Sequence, residues 1–248
     1  MIVNPKSELI REPNLLVPGI QPISPQSMLR VNQAHPLAKD LKVLFKLDGT
    51  SAPIADLTGN ATFPHPVGQL WNFGRASTPY GMGTYHSGLT TSRSYVITQP
   101  FANEVTIYQR VIPYTLVDNT SVSDADPTNT YRHWRLTLNS SGQWSNLFWN
   151  GINGIASSNT AGANELHKVW SLASDIKDEI KIRLNGVETV YGSAWTSTLV
   201  NQTMFIMGTN RNTTITGVIF CFFMWNRYLS TEEMDVIDAD PYQFLIPA

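Results

Sequence analysis

The chain of 248 residues contains a single cysteine, Cys221. No internal disulfide can form, so the fold must rest on its apolar core, and nothing points to an oxidising compartment. Cys221 lies between Phe220 and Phe222 in the most apolar run of the chain. It reads as a small buried core residue, not as a reactive thiol. Charge is scarce as well: 15% of residues are Asp, Glu, Lys or Arg, and the formal net charge is −2. That disfavours nucleic acid as a partner, whose binding needs a concentrated basic surface. The longest apolar run, residues 218–225, is far short of the roughly 20 residues of a membrane-crossing helix, so no membrane partner is expected. The start, Met1-Ile2-Val3-Asn4-Pro5-Lys6, lacks a charged stretch followed by an apolar one. Synthesis in a cytoplasm is the expectation, with release by lysis as one route outside. The G-x-S-x-G, P-loop and dinucleotide fingerprints are missing too.

What the chain does have is short alternating segments. Strands are expected at residues 41–47, 94–98, 104–112, 133–138, 144–149, 168–173, 179–184, 204–207 and 217–225. Val105 and Ile107 alternate with Glu104 and Thr106, and Trp134, Leu136 and Leu138 alternate with Arg135 and Thr137. This period of two is what a half-buried strand requires. Asn185-Gly186 predicts a tight hairpin, since a type I′ turn needs positive φ at both central residues. Residues 230–239 are the one expected helix, opened by Ser230 and Glu233 in a capping-box pattern and closed by Asp240-Pro241. Residues 59–92, 117–130 and 150–164 read as long loops. Many short strands with one late helix make an all-β sandwich the natural class.

Three segments carry a family resemblance. The end, with Trp225-Asn226-Arg227, Leu229-Ser230 and Glu232-Glu233 followed by Asp240-Pro241-Tyr242, resembles the last strand and terminal helix of concanavalin A-like, laminin-G-type jelly-roll domains. Residues 35–41 and 43–45, with the turn Asp56-Leu57-Thr58-Gly59-Asn60, are similar to the opening strand of those domains. Residues 180–188 resemble their strand, N-G turn, strand hairpin. The matches run in the family's order over residues 31–247, and the style of termination is similar to bacteriophage decoration and tail proteins. The resemblance implies a concanavalin A-like jelly-roll β-sandwich over residues 31–248, with a short C-terminal helix.

Residues 1–30 differ from the rest. Pro5, Pro13, Pro18, Pro22 and Pro25 argue for an extended arm. Leu9, Ile10, Leu15, Leu16, Val17, Ile20 and Ile23 are too apolar for a solvated linker, and need a surface to lie on. That surface is either a partner or the chain's own domain. Trp71, Tyr80 and Tyr85, in a long loop, are candidate stacking residues for a glycan; a small satellite core is the alternative.

Calcium needs six to eight oxygen ligands. Asp124 and Asp126 with Asn129 offer the atom types, but without an EF-hand glycine or terminal Glu, and a solvated acidic turn reads better. Laminin-G domains often carry calcium, but no ligand set can be placed here, so no cofactor is expected. His65 and His86 share a loop, yet no Cys or helical His pair completes a zinc site.

Enzymes of the resembling fold set a test for catalysis. Jelly-roll glycosidases use an E-x-D-x-x-E strand, which is absent; Glu104, Glu165, Glu179 and Glu188 stand alone. Lyases of this fold use Tyr, His, Arg and Gln. Tyr108-Gln109-Arg110 and Tyr131-Arg132-His133 hold those types, but strand alternation splits them between faces. The expectation is a non-enzymatic virion protein. It would be a capsid decoration protein held by its arm to capsid or other virion proteins, as a homo-oligomer. The alternative is a carbohydrate-binding adhesin module of a tail fibre or baseplate, and a polysaccharide hydrolase or lyase stands third.

Overall fold

The computed structural model describes residues 29–47, 56–60, 73–87, 95–99, 104–117, 119–124, 133–149, 153–174, 176–192, 202–206 and 215–248. The apolar arm residues Leu9 to Ile23 lie outside them, as does Trp71. Leu29 and Arg30, read from sequence as the end of the arm, belong to the first strand.

The strands in chain order are β1 (Leu29–Val31), β2 (Leu41–Lys46), β3 (Phe73–Thr78), β4 (Gly81–Ser87), β5 (Tyr95–Gln99), β6 (Glu104–Pro113), β7 (Asn119–Asp124) and β8 (His133–Leu138). They continue as β9 (Gln143–Trp149), β10 (Asn153–Thr160), β11 (His167–Ser174), β12 (Glu179–Leu184), β13 (Val187–Gly192), β14 (Gln202–Ile206), β15 (Thr216–Trp225) and β16 (Leu245–Pro247). An α-helix, α1 (Thr231–Ala239), follows β15. A six-stranded sheet runs β10-β9-β8-β7-β14-β5. An eight-stranded sheet runs β13-β12-β11-β6-β15-β4-β3, with β2 also on β15. β1 and β16 pair apart from both, so Leu29 stands opposite Pro247.

The expected strands 133–138 and 179–184 form with those bounds, and Ser230 caps α1 with the reciprocal Glu233 bond. Asn185 and Gly186 take φ of 51° and 89°, as the two-residue turn demands. The loop assignments are corrected. β3 and β4 lie in 59–92, β7 in 117–130 and β10 in 150–164. Most of their residues are small, polar or glycine, so local propensity is low. Pairing to an existing strand overrides it, and β3 and β10 sit at sheet edges.

The core has two layers. Between the sheets pack Val43, Phe45, Val105, Ile107, Val111, Val169, Ile182, Phe222 and Met224 with Leu136, Leu138 and Trp144. On the outer face of the eight-stranded sheet, Leu44, Tyr108, Trp170, Cys221, Phe223 and Trp225 pack under Met234 and Ile237 of α1, with Phe244. The eight-stranded sheet is thus buried on both faces over this half. β15 therefore reads as an unbroken apolar run and not as an alternating one. Burial pushes the Cys221 thiol up to about 12, which keeps it neutral and inert.

Antiparallel sheets stacked in this way, closed by α1, make a jelly-roll β-sandwich. The D-x-T-G-N turn is stapled to its opening strand: Asp56 Oδ1 accepts from Leu44 N–H at 2.8 Å and Oδ2 from Asn60 N–H at 2.9 Å.

Two polar devices hold the layers. Trp144 Nε1 donates to His167 Nδ1 at 2.9 Å, and His167 Nε2 lies 2.9 Å from the Gly162 carbonyl. Indole N–H can only donate, so the imidazole is neutral with its proton on Nε2. On the outer face Arg183, 5% exposed, pairs with Asp235 and reaches Asp238 at 3.6 Å. Trp170 Nε1 donates to the same Asp238 at 3.1 Å. These bonds tie α1 to β11 and β12.

Both devices are testable. Burial holds His167 below its ordinary 6.5, against the opposing pull of the Gly162 carbonyl and Glu165. Below that pH the unfolded chain takes up a proton that the folded chain refuses. Unfolding free energy should be flat above neutrality and fall as pH drops from about 6.5. His167→Gln should remove this slope in denaturant titrations, and an unchanged slope would count against it. Arg183→Met leaves Asp238 nearly buried without its cation. It should cost about 3 kcal/mol and speed amide exchange across residues 231–239 more than elsewhere.

Candidate functional site

The three aromatic residues singled out from the sequence are not brought together. Trp71 is outside the described residues. Tyr80 sits at the tip of the β3–β4 hairpin, 51% exposed, where its N–H bonds Thr78 Oγ1 at 3.1 Å. Tyr85 is farther along β4, opposite Gly74 and Val218. Four residues of strand separate Gly81 from Tyr85, about 14 Å. Tyr80 and Tyr85 therefore cannot share one sugar ring.

Tyr85 instead stacks on Tyr114, with ring centroids 5.8 Å apart and planes 28° from parallel. Tyr114 follows β6 and is 38% exposed. Sequence reading missed it, because it stands 29 positions from Tyr85 and meets it only through β15. Its N–H bonds the Thr216 carbonyl at 2.8 Å, which fixes it beside that strand. Val218, opposite Tyr85 on β15, belongs to a small cluster with Ile112 and Phe220, against which Ala76 and Leu166 pack. Gly83 lets the hairpin lie close, since a Cβ there would collide with the Val218 side chain. Tyr85 is half-buried and Tyr114 exposed.

The carboxylates are committed to structure. Glu104 and Glu179, isolated in sequence, stand in one cross-strand row with Ser174 between them. Glu104 Oε1 accepts from Ser174 Oγ at 3.0 Å, and Glu179 accepts from the Tyr228 hydroxyl. Burial, then the Glu179 bond, raises the Tyr228 pKa. Lys177 Nζ lies 4.0 Å above the Tyr228 ring. Glu188 pairs with Lys181 at 3.1 Å and accepts from Thr231 Oγ1 at 3.0 Å. Glu165 accepts from Gly162 N–H at 3.0 Å. Each carboxylate braces a loop or α1.

Of the lyase-type residues, Gln109 stands opposite Val169 and Phe222 of the inter-sheet core, while Tyr108 and Arg110 take the outer face. Asp124 ends β7, and Asp118, Asp126 and Asn129 lie outside the described residues. Among the described residues no cluster of three His, Cys, Asp or Glu could hold a metal ion, and no helix is long and apolar enough to cross a membrane.

No protein-family model matches the chain, and no curated protein does. Solved structures do. Domain 4 of AbnA, a GH43 extracellular arabinanase from Geobacillus stearothermophilus in complex with arabinotriose, is 15% identical with a TM-score of 0.51, over 80% of this chain and 98% of that one. The binding domain of Botulinum neurotoxin DC in complex with SialylT is 13% identical with a TM-score of 0.57, over 80% of this chain and 50% of that one. Trypanosoma rangeli sialidase is 14% identical with a TM-score of 0.57, over 83% of this chain and 33% of that one. The chain thus spans half of the neurotoxin binding domain and a third of the sialidase. At such identities the likeness is one of fold: a jelly-roll β-sandwich that recurs in binding domains and in glycosidase-associated chains.

Proposed function

We propose that this chain is a non-catalytic carbohydrate-binding module that holds a glycan on the outer face of its eight-stranded sheet. The observation that carries the reading is the stacked Tyr85–Tyr114 pair, at 5.8 Å, with Tyr114 open to solvent. A tyrosine face is a flat apolar surface that suits the C–H face of a pyranose, and its hydroxyl can bond a sugar oxygen. Tyr85 lies on β4, and Tyr114, directly after β6, is bonded to the Thr216 carbonyl of β15, so little ordering cost attends binding. Two structures of the same fold were solved with arabinotriose and with SialylT, which supports a saccharide as ligand. The bonding of Glu104, Glu179 and Glu188 within the fold favours binding over hydrolysis.

The expected test uses a panel of neutral and acidic oligosaccharides, with calorimetry as readout. Tyr114→Ala should weaken the best ligand at least about tenfold, or 1.4 kcal/mol, with little change in melting temperature. Tyr85→Leu should act in the same direction. A panel with no binder, or a binder indifferent to both changes, would overturn the reading.

A second reading keeps the virion role, with residues 1–28 as an arm on a capsid or neighbouring subunit. Its support is the apolar, proline-rich composition of that segment. The strand it leads into, β1, lies beside β16 at the other end of the chain. Deleting residues 1–28 should then leave a folded domain that no longer joins particles. A shortened chain that still assembles would exclude the arm as the attachment.

A further inference from the structure

The two large sheets end in β13 and β3 on one side of the sandwich and in β10 and β5 on the other. An end strand presents N–H and C=O groups without a neighbour, and folds blunt such edges with charge, proline or a bulge. β3 carries the exposed Arg75. β10 breaks register between Ser157 and Thr160. β5 runs into Pro100.

β13, Val187-Glu188-Thr189-Val190-Tyr191-Gly192, has none of these devices. It pairs with β12 residue for residue, without a shift. Its one charge is turned back into its own sheet: Glu188 meets Lys181 at 3.1 Å and accepts from Thr231 Oγ1 at 3.0 Å. Yet Val187, Val190 and Tyr191 are 52%, 51% and 42% exposed. Among the described residues no other strand bares three large apolar side chains.

The Asn185-Gly186 turn fixes which main-chain groups are free. In a two-residue hairpin the flanking pair, Leu184 and Val187, exchanges hydrogen bonds, and the exchange recurs at every second pair. Val187, Thr189 and Tyr191 therefore direct their N–H and C=O groups at β12. Glu188, Val190 and Gly192 turn theirs away from it. Side chains alternate as well: Glu188 and Val190 share a face with Lys181 and Arg183, and Val187, Thr189 and Tyr191 take the other.

A second β13 can meet this edge about a two-fold axis, which must fall on a residue so that free groups meet free groups. Centred on Glu188, the pairing sets two carboxylates directly opposite each other, which is destabilising. Centred on Val190, it leaves Val187 beyond the ladder. Centred on Thr189, it sets Val187 against Tyr191 twice and Thr189 against Thr189, all on one face. Aromatic with β-branched, and Thr with Thr, are favourable cross-strand pairs. Glu188 and Val190 then exchange the free hydrogen bonds.

We infer that β13 is a dimerisation edge, pairing antiparallel with β13 of a second copy of this chain about an axis at Thr189. Lys181 and Arg183 neutralise Glu188 within each copy, so the approach opposes no unbalanced charge. β10, the end of the other sheet, packs beside β12 and β13. Both layers of the sandwich thus reach the interface, as a stable contact of about 800 Å² per partner requires. β4, which bears Tyr85, is five strands from β13 in the sheet order, about 24 Å. The dimer therefore leaves the tyrosine pair of each copy open.

The test reads the mass of the full chain by sedimentation over micromolar concentrations, where twice the monomer mass is expected. Val190→Pro deletes a donor that β12 does not use, and should weaken the dimer at least about tenfold. Tyr191→Lys keeps every main-chain donor and should act in the same direction, which guards against a misfolded proline variant. Thr189→Cys should form a disulfide across the axis with oxidised glutathione, and Val187→Cys, opposite Tyr191, should not. The buried Cys221 does not compete.

A chain that stays monomeric at every concentration overturns the inference, as does a dimer indifferent to both Val190→Pro and Tyr191→Lys. Crosslinking through Val187→Cys and not through Thr189→Cys overturns the pairing. A monomer with slow amide exchange at Glu188 and Val190 overturns it in favour of a segment of the same chain on this edge. None of these outcomes bears on the glycan reading.

Discussion

The structure depends on β15 being buried on both faces. It is paired along its length with β6, and its other edge is shared by β2 and β4. Ile219, Phe222 and Met224 enter the layer between the sheets; Cys221, Phe223 and Trp225 enter the layer under α1. β2, β6 and β11 serve both layers too, but among the described strands β15 alone places three side chains in each. Each large side chain buried there contributes about 1.5–3 kcal/mol. A polar residue at any of these positions would face apolar neighbours on its own side and a hydrogen-bonded ladder on both edges.

Double burial also explains why the chain folds back after β15. A sheet face bearing Tyr108, Trp170, Phe223 and Trp225 would otherwise be wet. α1 and the segment to Phe244 cover it, and polar atoms at its margin find partners within the cover. Trp225 Nε1 donates to the Leu37 carbonyl at 2.7 Å, and Thr106 Oγ1 to the Arg227 carbonyl at 2.7 Å. The terminal helix is therefore part of the core, although it is the last regular element but one. Its Ser230 and Glu233 cap satisfies the N–H groups that packing cannot.

Much of this was legible in the sequence because it is local. The capping box, the Asn-Gly turn, the apolar run and the alternation in β6 and β8 are patterns within ten residues. What escaped is relational. β3, β4, β7 and β10 are strands because a neighbour offers a ladder, not because Gly-Met-Gly-Thr or Ala-Ser-Ser-Asn favours extension. Tyr85 and Tyr114 meet across β15. Nothing in a linear pattern marks them. The register shift of β15 at Phe220 is hidden for the same reason, since every residue around it is apolar and parity cannot be read from a run without polar members.

The distribution of charge then separates two halves of one face. Where α1 lies, cations and carboxylates are matched and partly buried, and removal of one partner strands the other. Such groups are unsuited to meet a ligand, because recruiting them would loosen the helix. Toward the C-terminal end of α1 the contacts turn to main chain: Lys168 Nζ donates to the Asp238 carbonyl at 2.9 Å. Farther along, β15 shifts its register against β6 at Phe220, whose carbonyl accepts from Leu47 N–H at 2.8 Å and from the Tyr242 hydroxyl at 3.1 Å. The irregularity that lets a doubly buried strand serve two layers is thus closed by the same C-terminal segment that covers the outer one.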